Sequence, residues 1–138
     1  MNSRLLMTLR LTTAALQDVG ATPHGARSIF PITGGEFDGP RLRGKVLAGG
    51  GDWAALRSDG VLELDLRITL ETDDGARIYM TFTGMRHGAA TDAAGEYFRT
   101  LPRFETAAPK YAFLNEILAV GSGEARADGP VHTIEEIL

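Results

Sequence analysis

The stretch Glu63-Leu64-Asp65-Leu66-Arg67-Ile68-Thr69-Leu70-Glu71 alternates polar and apolar residues without a break. A helix would scatter these side chains around its axis, whereas a strand sorts them onto two faces. The run ends at Asp73-Asp74-Gly75, a hairpin-turn signal. A second strand-like run follows at once, residues 76–85, containing Ile78, Tyr79 and Phe82. Two strands around an Asp-Gly turn predict a β-hairpin, and the rest of the chain can be read outward from it.

Further strand-like runs are spaced as an antiparallel all-β domain would have them. Residues 4–13 alternate loosely. Residues 27–32 lead into Thr33-Gly34-Gly35, followed by a short run at 36–38 and the breaker Gly39-Pro40. Residues 41–47 precede Gly49-Gly50-Gly51, and residues 53–57 precede Ser58-Asp59-Gly60. Runs at 97–106, 117–126 and 131–138 complete the set. Helical patterning is poor: residues 91–95 suggest a turn, and residues 110–116 a short helical turn. The chain has 138 residues, with 17 Gly and 6 Pro. That density of breakers favours many short elements in one domain spanning residues 1–138. Gly34, Gly35, Gly44, Gly84, Gly121 and Gly123 fall within or beside strands, where bends and bulges let a sheet curl and close. The expected fold is therefore all-β: a single antiparallel β-barrel of about 8–10 short strands, with at most one or two short helical turns.

Composition removes several function classes. The net charge of −4 argues against nucleic acid, which calls for a concentrated basic face. With no Cys there is no thiolate nucleophile, disulfide framework or cysteine metal site. Arg4 and Arg10 interrupt the apolar N-terminal run, unlike a signal peptide, and no stretch approaches the length of a membrane span. The expectation is a cytoplasmic protein with neither membrane nor nucleic acid as partner.

Several blocks then occur in order: Pro31-Ile32-Thr33-Gly34-Gly35, Phe37-Asp38-Gly39-Pro40-Arg41-Leu42, Gly51-Asp52-Trp53, Glu63-Leu64-Asp65, Leu70-Glu71-Thr72-Asp73-Asp74-Gly75, Tyr97-Phe98-Arg99-Thr100, Pro102-Arg103-Phe104-Glu105-Thr106 and Tyr111-Ala112-Phe113-Leu114-Asn115. Together they resemble the domain-of-unknown-function 3237 family of small bacterial and fungal proteins, over nearly the whole chain. The resemblance implies a small, self-associating antiparallel β-barrel (a dimer or larger) and no established activity for the family as a whole. The chain departs from that pattern at Met80, Thr81 and Phe82, where many members carry polar residues, and at Phe113, where a Trp is usual.

The candidate chemistry lies on polar strand faces. Glu63, Asp65, Arg67, Thr69 and Glu71 share one face of the deciding strand. Either the leucines opposite fill the barrel and the charges meet water, or the charges line a pocket and the leucines pack beneath another layer. Asp65 and Glu71 lie about 20 Å apart along a strand, too far to act on one bond. Arg67, two residues from Asp65, can hold that carboxylate ionised as a general base. Tyr97, Arg99 and Arg103 share a second face suited to a carboxylate or phenolate ligand; the alternative is an exposed edge strand, which Pro102 favours. Asp52 and Trp53 after the glycine run suggest a loop at the barrel mouth, with anchoring of that loop by Trp53 as the alternative. His24, His87 and His132 are too scattered to suggest a metal site, but all three are candidate acid–base groups, His24 foremost in a loop before a strand. Tyr79 and Tyr111 are candidate hydrogen-bond donors.

Three readings follow. The first is a cofactor-independent enzyme doing acid/base chemistry of lyase, isomerase or hydratase type on a small aromatic or hydroxylated metabolite. Its base would be Asp65 or Asp52. The second is a binding or carrier barrel for a hydrophobic metabolite, and the third a structural or assembly subunit. No Ser elbow, Cys or phosphate loop supports nucleophilic or nucleotide chemistry.

Overall fold

The computed structural model describes residues 1–89 and 91–138. The expected hairpin is present as one of its two longest continuous ladders. Strand β6 (Leu62–Thr72) pairs antiparallel with β7 (Arg77–His87), from Leu62 opposite Arg86 to Glu71 opposite Arg77. Gly75 closes the turn at φ 88°, a conformation that suits glycine. The Thr72 hydroxyl receives the Ala76 N–H at 2.9 Å. Asp74 accepts hydrogen bonds from Lys110 Nζ at 2.8 Å and from the Tyr111 hydroxyl at 2.9 Å, fastening the turn to a short 3₁₀ helix, Pro109–Glu116.

The other strands are β1 (Ser3–Thr13), β2 (Gln17–Thr22), β3 (Gly25–Asp38), β4 (Arg43–Val46), β5 (Gly50–Leu56), β8 (Tyr97–Thr106), β9 (Ala119–Arg126) and β10 (Gly129–Ile137). The sheet runs β1-β10-β9-β8-β7-β6 and returns through β4 and β5 to β3, which pairs with β1 and so closes the barrel. β4 and β5 share one place in that circuit, and β2 extends β3 beyond it. The result is an eight-stranded antiparallel barrel with two extra strands. Leu64, Leu66, Ile68 and Leu70 point inward and pack with Met80, Phe82, Phe104 and Ile134. Each such side chain contributes roughly 1.5–3 kcal/mol by leaving water.

Closure answers the question left open by the alternating strand: the leucines fill the barrel, and Glu63, Asp65, Arg67, Thr69 and Glu71 line its outer wall. Several local expectations are corrected. Residues 27–32 and 36–38 belong to one strand, because Gly34-Gly35 continues the ladder against β1. Gly35 does so at φ 144°, where a Cβ would collide with the Arg10 carbonyl oxygen. β2 was not anticipated; Gln17-Asp18-Val19-Gly20-Ala21-Thr22 lacks alternation and is held by pairing with β3. Asp52 and Trp53 are not a loop but the middle of β5. β8 is not an edge: it pairs with β7 along its whole length. Its pairing with β9 covers only Arg99 and Thr100, stopping short of Pro102, which has no N–H to donate.

Candidate functional site

Two concavities lie at the barrel end where β6, β8 and β10 begin and β7 and β9 finish. One is a groove of about 1040 Å³ on the outer wall; the other is a cavity of about 220 Å³ inside the mouth. Leu64 of β6 lines both.

The groove gathers His24 from the flank of β3, Trp53 from β5, Asp65 from β6, and Tyr97 and Arg99 from β8. Arg67 stands beside Asp65, with Nη2 3.8 Å from Oδ2, and its guanidinium lies 5.8 Å from the Trp53 ring. The pairing expected from the spacing is therefore present, on the outside of the barrel. The remaining candidates disperse. Tyr79 and Arg103 line a separate outer depression of about 500 Å³. Glu71 is tied to Lys45 at 3.6 Å and Arg77 at 3.2 Å, away from both concavities. Tyr111 is buried and fastens the hairpin turn through Asp74.

Asp52 belongs to the inner cavity. Strand alternation turns it inward, in register with Leu66, while Trp53 turns outward. The β5–β6 ladder is interrupted between Asp52 and Ala55, and Asp52 Oδ1 takes the Asp65 N–H at 3.1 Å. That bond favours the carboxylate, and the nearby Asp65 charge opposes it. Burial is the larger influence and raises the Asp52 pKa from 3.8 to about 6. Oδ1 is committed to the backbone; Oδ2 has no hydrogen-bond partner among the described residues.

Two further groups join it: His132, one of the three histidines offered by the sequence as acid–base groups, and Arg86, to which the sequence reading gave no role. His132 sits on β10 at 1% exposure, edge-on to Phe82 and Phe98 with ring centroids 5.2 Å away in each case. Neither ring nitrogen has a hydrogen-bond partner among the described residues, and burial lowers its pKa to about 4, so the imidazole is neutral at physiological pH. Its signal was parity: His132 shares the inward face with Ile134. Arg86, at the end of β7, lines the same cavity, held by Glu96 at 3.2 Å and lying 4.9 Å over the Phe98 ring. With Phe30, Leu62 and Leu66 completing the wall, the cavity combines a largely apolar lining with one carboxylate, one neutral imidazole and two guanidiniums, those of Arg86 and of Arg126, the latter paired with Glu124 at 2.8 Å. Such a set can accept a proton, hold a hydroxyl and stabilise an oxyanion.

Comparison with known proteins places the chain among relatives. The family model described as "Protein of unknown function (DUF3237)" matches residues 1–137. A UPF0311 protein of Rhodopseudomonas palustris is 38% identical over 140 residues, covering 91% of this chain and 92% of its own. The crystal structure of a β-barrel-like protein from Acinetobacter baumannii superposes with a TM-score of 0.90 at 35% identity, covering 99% of this chain and 96% of that one. More distantly, the hydroalkoxylation enzyme phnH of Penicillium herquei is 28% identical over 121 residues, covering 88% of this chain and 73% of its own.

Proposed function

The chain belongs to the DUF3237 family, and we propose that it is an acid/base enzyme acting on a small hydroxylated aromatic molecule in the mouth cavity, with Asp52 as proton acceptor. The observation that carries this reading is Asp52 itself: a carboxyl raised to about 6 by burial, in a largely apolar cavity that it shares with Arg86 and His132. A general base works best when its pKa lies near the operating pH, and strongly perturbed carboxyls in clefts mark functional sites. The size suits one substituted ring, since an apolar cavity of about 150 Å³ takes up benzene and this one has about 220 Å³.

Asp52 Oδ2 takes the hydroxyl proton, Arg86 faces the oxyanion that develops, and neutral His132 offers a hydrogen bond deeper in the cavity. The fungal relative's name supports the reaction class. In an addition of that kind the oxygen lone pair forms the new C–O bond. The double-bond electrons then recover the proton from Asp52 at the neighbouring carbon. Atoms and electrons balance without an oxidant or reductant, as they also do for an isomerisation or an elimination.

The test is turnover of a pooled library of hydroxylated aromatic metabolites, followed by mass spectrometry and proton NMR. Asp52→Asn should lower the rate by about 10²–10⁴-fold, while Asp65→Asn should stay within a few-fold of wild type. The reverse ranking would move the chemistry to the outer groove. Selective line broadening of one compound with no product would support the binding-barrel reading instead.

A further inference from the structure

The outer groove has a recognition chemistry of its own, separate from the mouth cavity. Among the described residues, the carboxylates there are already engaged: Glu63 with Arg57 at 3.2 Å and Asp65 with Arg67 at 3.8 Å. Arg57 is further held by Asp59. Two cations remain, Arg27 on β3 and Arg99 on β8, and no carboxylate within ion-pair distance faces either among the described residues. Each is braced by a backbone carbonyl: Arg27 Nη1 donates to Trp53 O at 3.0 Å, and Arg99 Nη1 donates to Phe98 O at 2.9 Å. Bracing restricts the guanidinium, which lowers the entropy lost when it captures an anion.

Flat apolar surface accompanies the two cations. Trp53 is 38% exposed, Tyr97 47% and Leu101 61%, all lining this groove. The Trp53 ring lies against Gly51, where a Cβ would come within 3.1 Å of it. Tyr97 is backed by the stacked His87 ring at 4.9 Å, so both aromatic walls are held in place. Arg27 and Arg99 sit on strands separated by β5, β6 and β7. Four strand spacings amount to about 19 Å along the wall, so one small anion does not bridge both guanidiniums; each instead stands beside an aromatic wall, Arg27 bonded to the Trp53 carbonyl and Arg99 5.4 Å over the Tyr97 ring.

We propose that this groove binds an aromatic carboxylate of two or more fused rings, its carboxylate held by Arg99 or Arg27 and its rings laid against Trp53 and Tyr97. Arginine pairs with carboxylates in a planar, bidentate way, and aromatic walls supply area without directional demand. The site is independent of proton transfer at Asp52.

Trp53 is the only tryptophan in the chain, so its indole N–H gives a single resonance reporting on the groove. Titration with 2-naphthoate should shift that resonance saturably, and 2-naphthamide, which lacks the charge, should bind at least tenfold more weakly. Arg99→Gln and Arg27→Gln should together weaken naphthoate at least tenfold while leaving the thermal midpoint within a few degrees. Asp52→Asn should leave naphthoate binding unchanged, which separates this site from the mouth cavity. Equal affinity for acid and amide would overturn the proposal, as would no indole shift at millimolar probe. An indole resonance that moves on simple dilution, together with a concentration-dependent mass, would also overturn it by showing that a second copy of the chain covers the groove.

Discussion

Replacing Asp52 by Asn keeps the side-chain oxygen that receives the Asp65 N–H and removes only the charge. The carboxyl's pKa is 3.8 in the unfolded chain and about 6 in the folded one. Between those values the folded state holds the proton more tightly, so stability falls as pH rises, and the full loss is present above about pH 6. At 1.36 kcal/mol per pKa unit, the gap amounts to about 3 kcal/mol. The Asn variant escapes this loss. Its stability should match wild type below pH 4 and exceed it by about 3 kcal/mol at pH 7 and above, a rise in melting temperature on the order of 10 °C for a chain of this size. Urea unfolding of both proteins from pH 4 to 8 measures the difference, and subtraction cancels every other titrating group. A carboxyl that destabilises its own fold is, under the proposed role of Asp52, the expected signature of a function-for-stability exchange. A pH-independent difference would refute the reasoning, as would an Asn variant less stable at pH 7; either would mean that a partner, rather than burial, sets the charge of Asp52.

His132→Phe tests the opposite limb. The imidazole's folded pKa of about 4 lies below its ordinary 6.5, so wild type loses stability as pH falls between those values, by about 3 kcal/mol in all; the advantage of the Phe variant should grow over that range, and a constant difference in urea unfolding would contradict it. Tyr111→Phe removes the hydroxyl that fastens the β6–β7 turn through Asp74, and should cost about 1 kcal/mol at pH 7. Because Lys110 and the hydroxyls of Thr72 and Tyr111 hold the Asp74 carboxyl below the usual range, that cost should fade in strong acid as Asp74 protonates; a penalty independent of pH would assign the effect to packing of the ring.

The β6–β7 hairpin was legible because its determinants are local: a period of two over nine residues and a glycine at the one turn position that needs positive φ. The barrel followed from the number of such strands. β2 was not legible, since its residues carry no alternation and its pairing partner supplies the order. The sequence by itself determined which residues share a face, because alternation is a property of the backbone. It placed Asp65 beside Arg67 and Tyr97 beside Arg99 for that reason, while closure of the barrel turned both faces outward. Only tertiary structure decided that Asp52 and Trp53, adjacent in the chain, serve opposite sides of one wall, and that Asp52, Arg86 and His132, from β5, β7 and β10, meet in one cavity. Convergence depends on how strands far apart in sequence register when the sheet closes. Proton affinity depends on how much water that closure removes, and no spacing of letters encodes either.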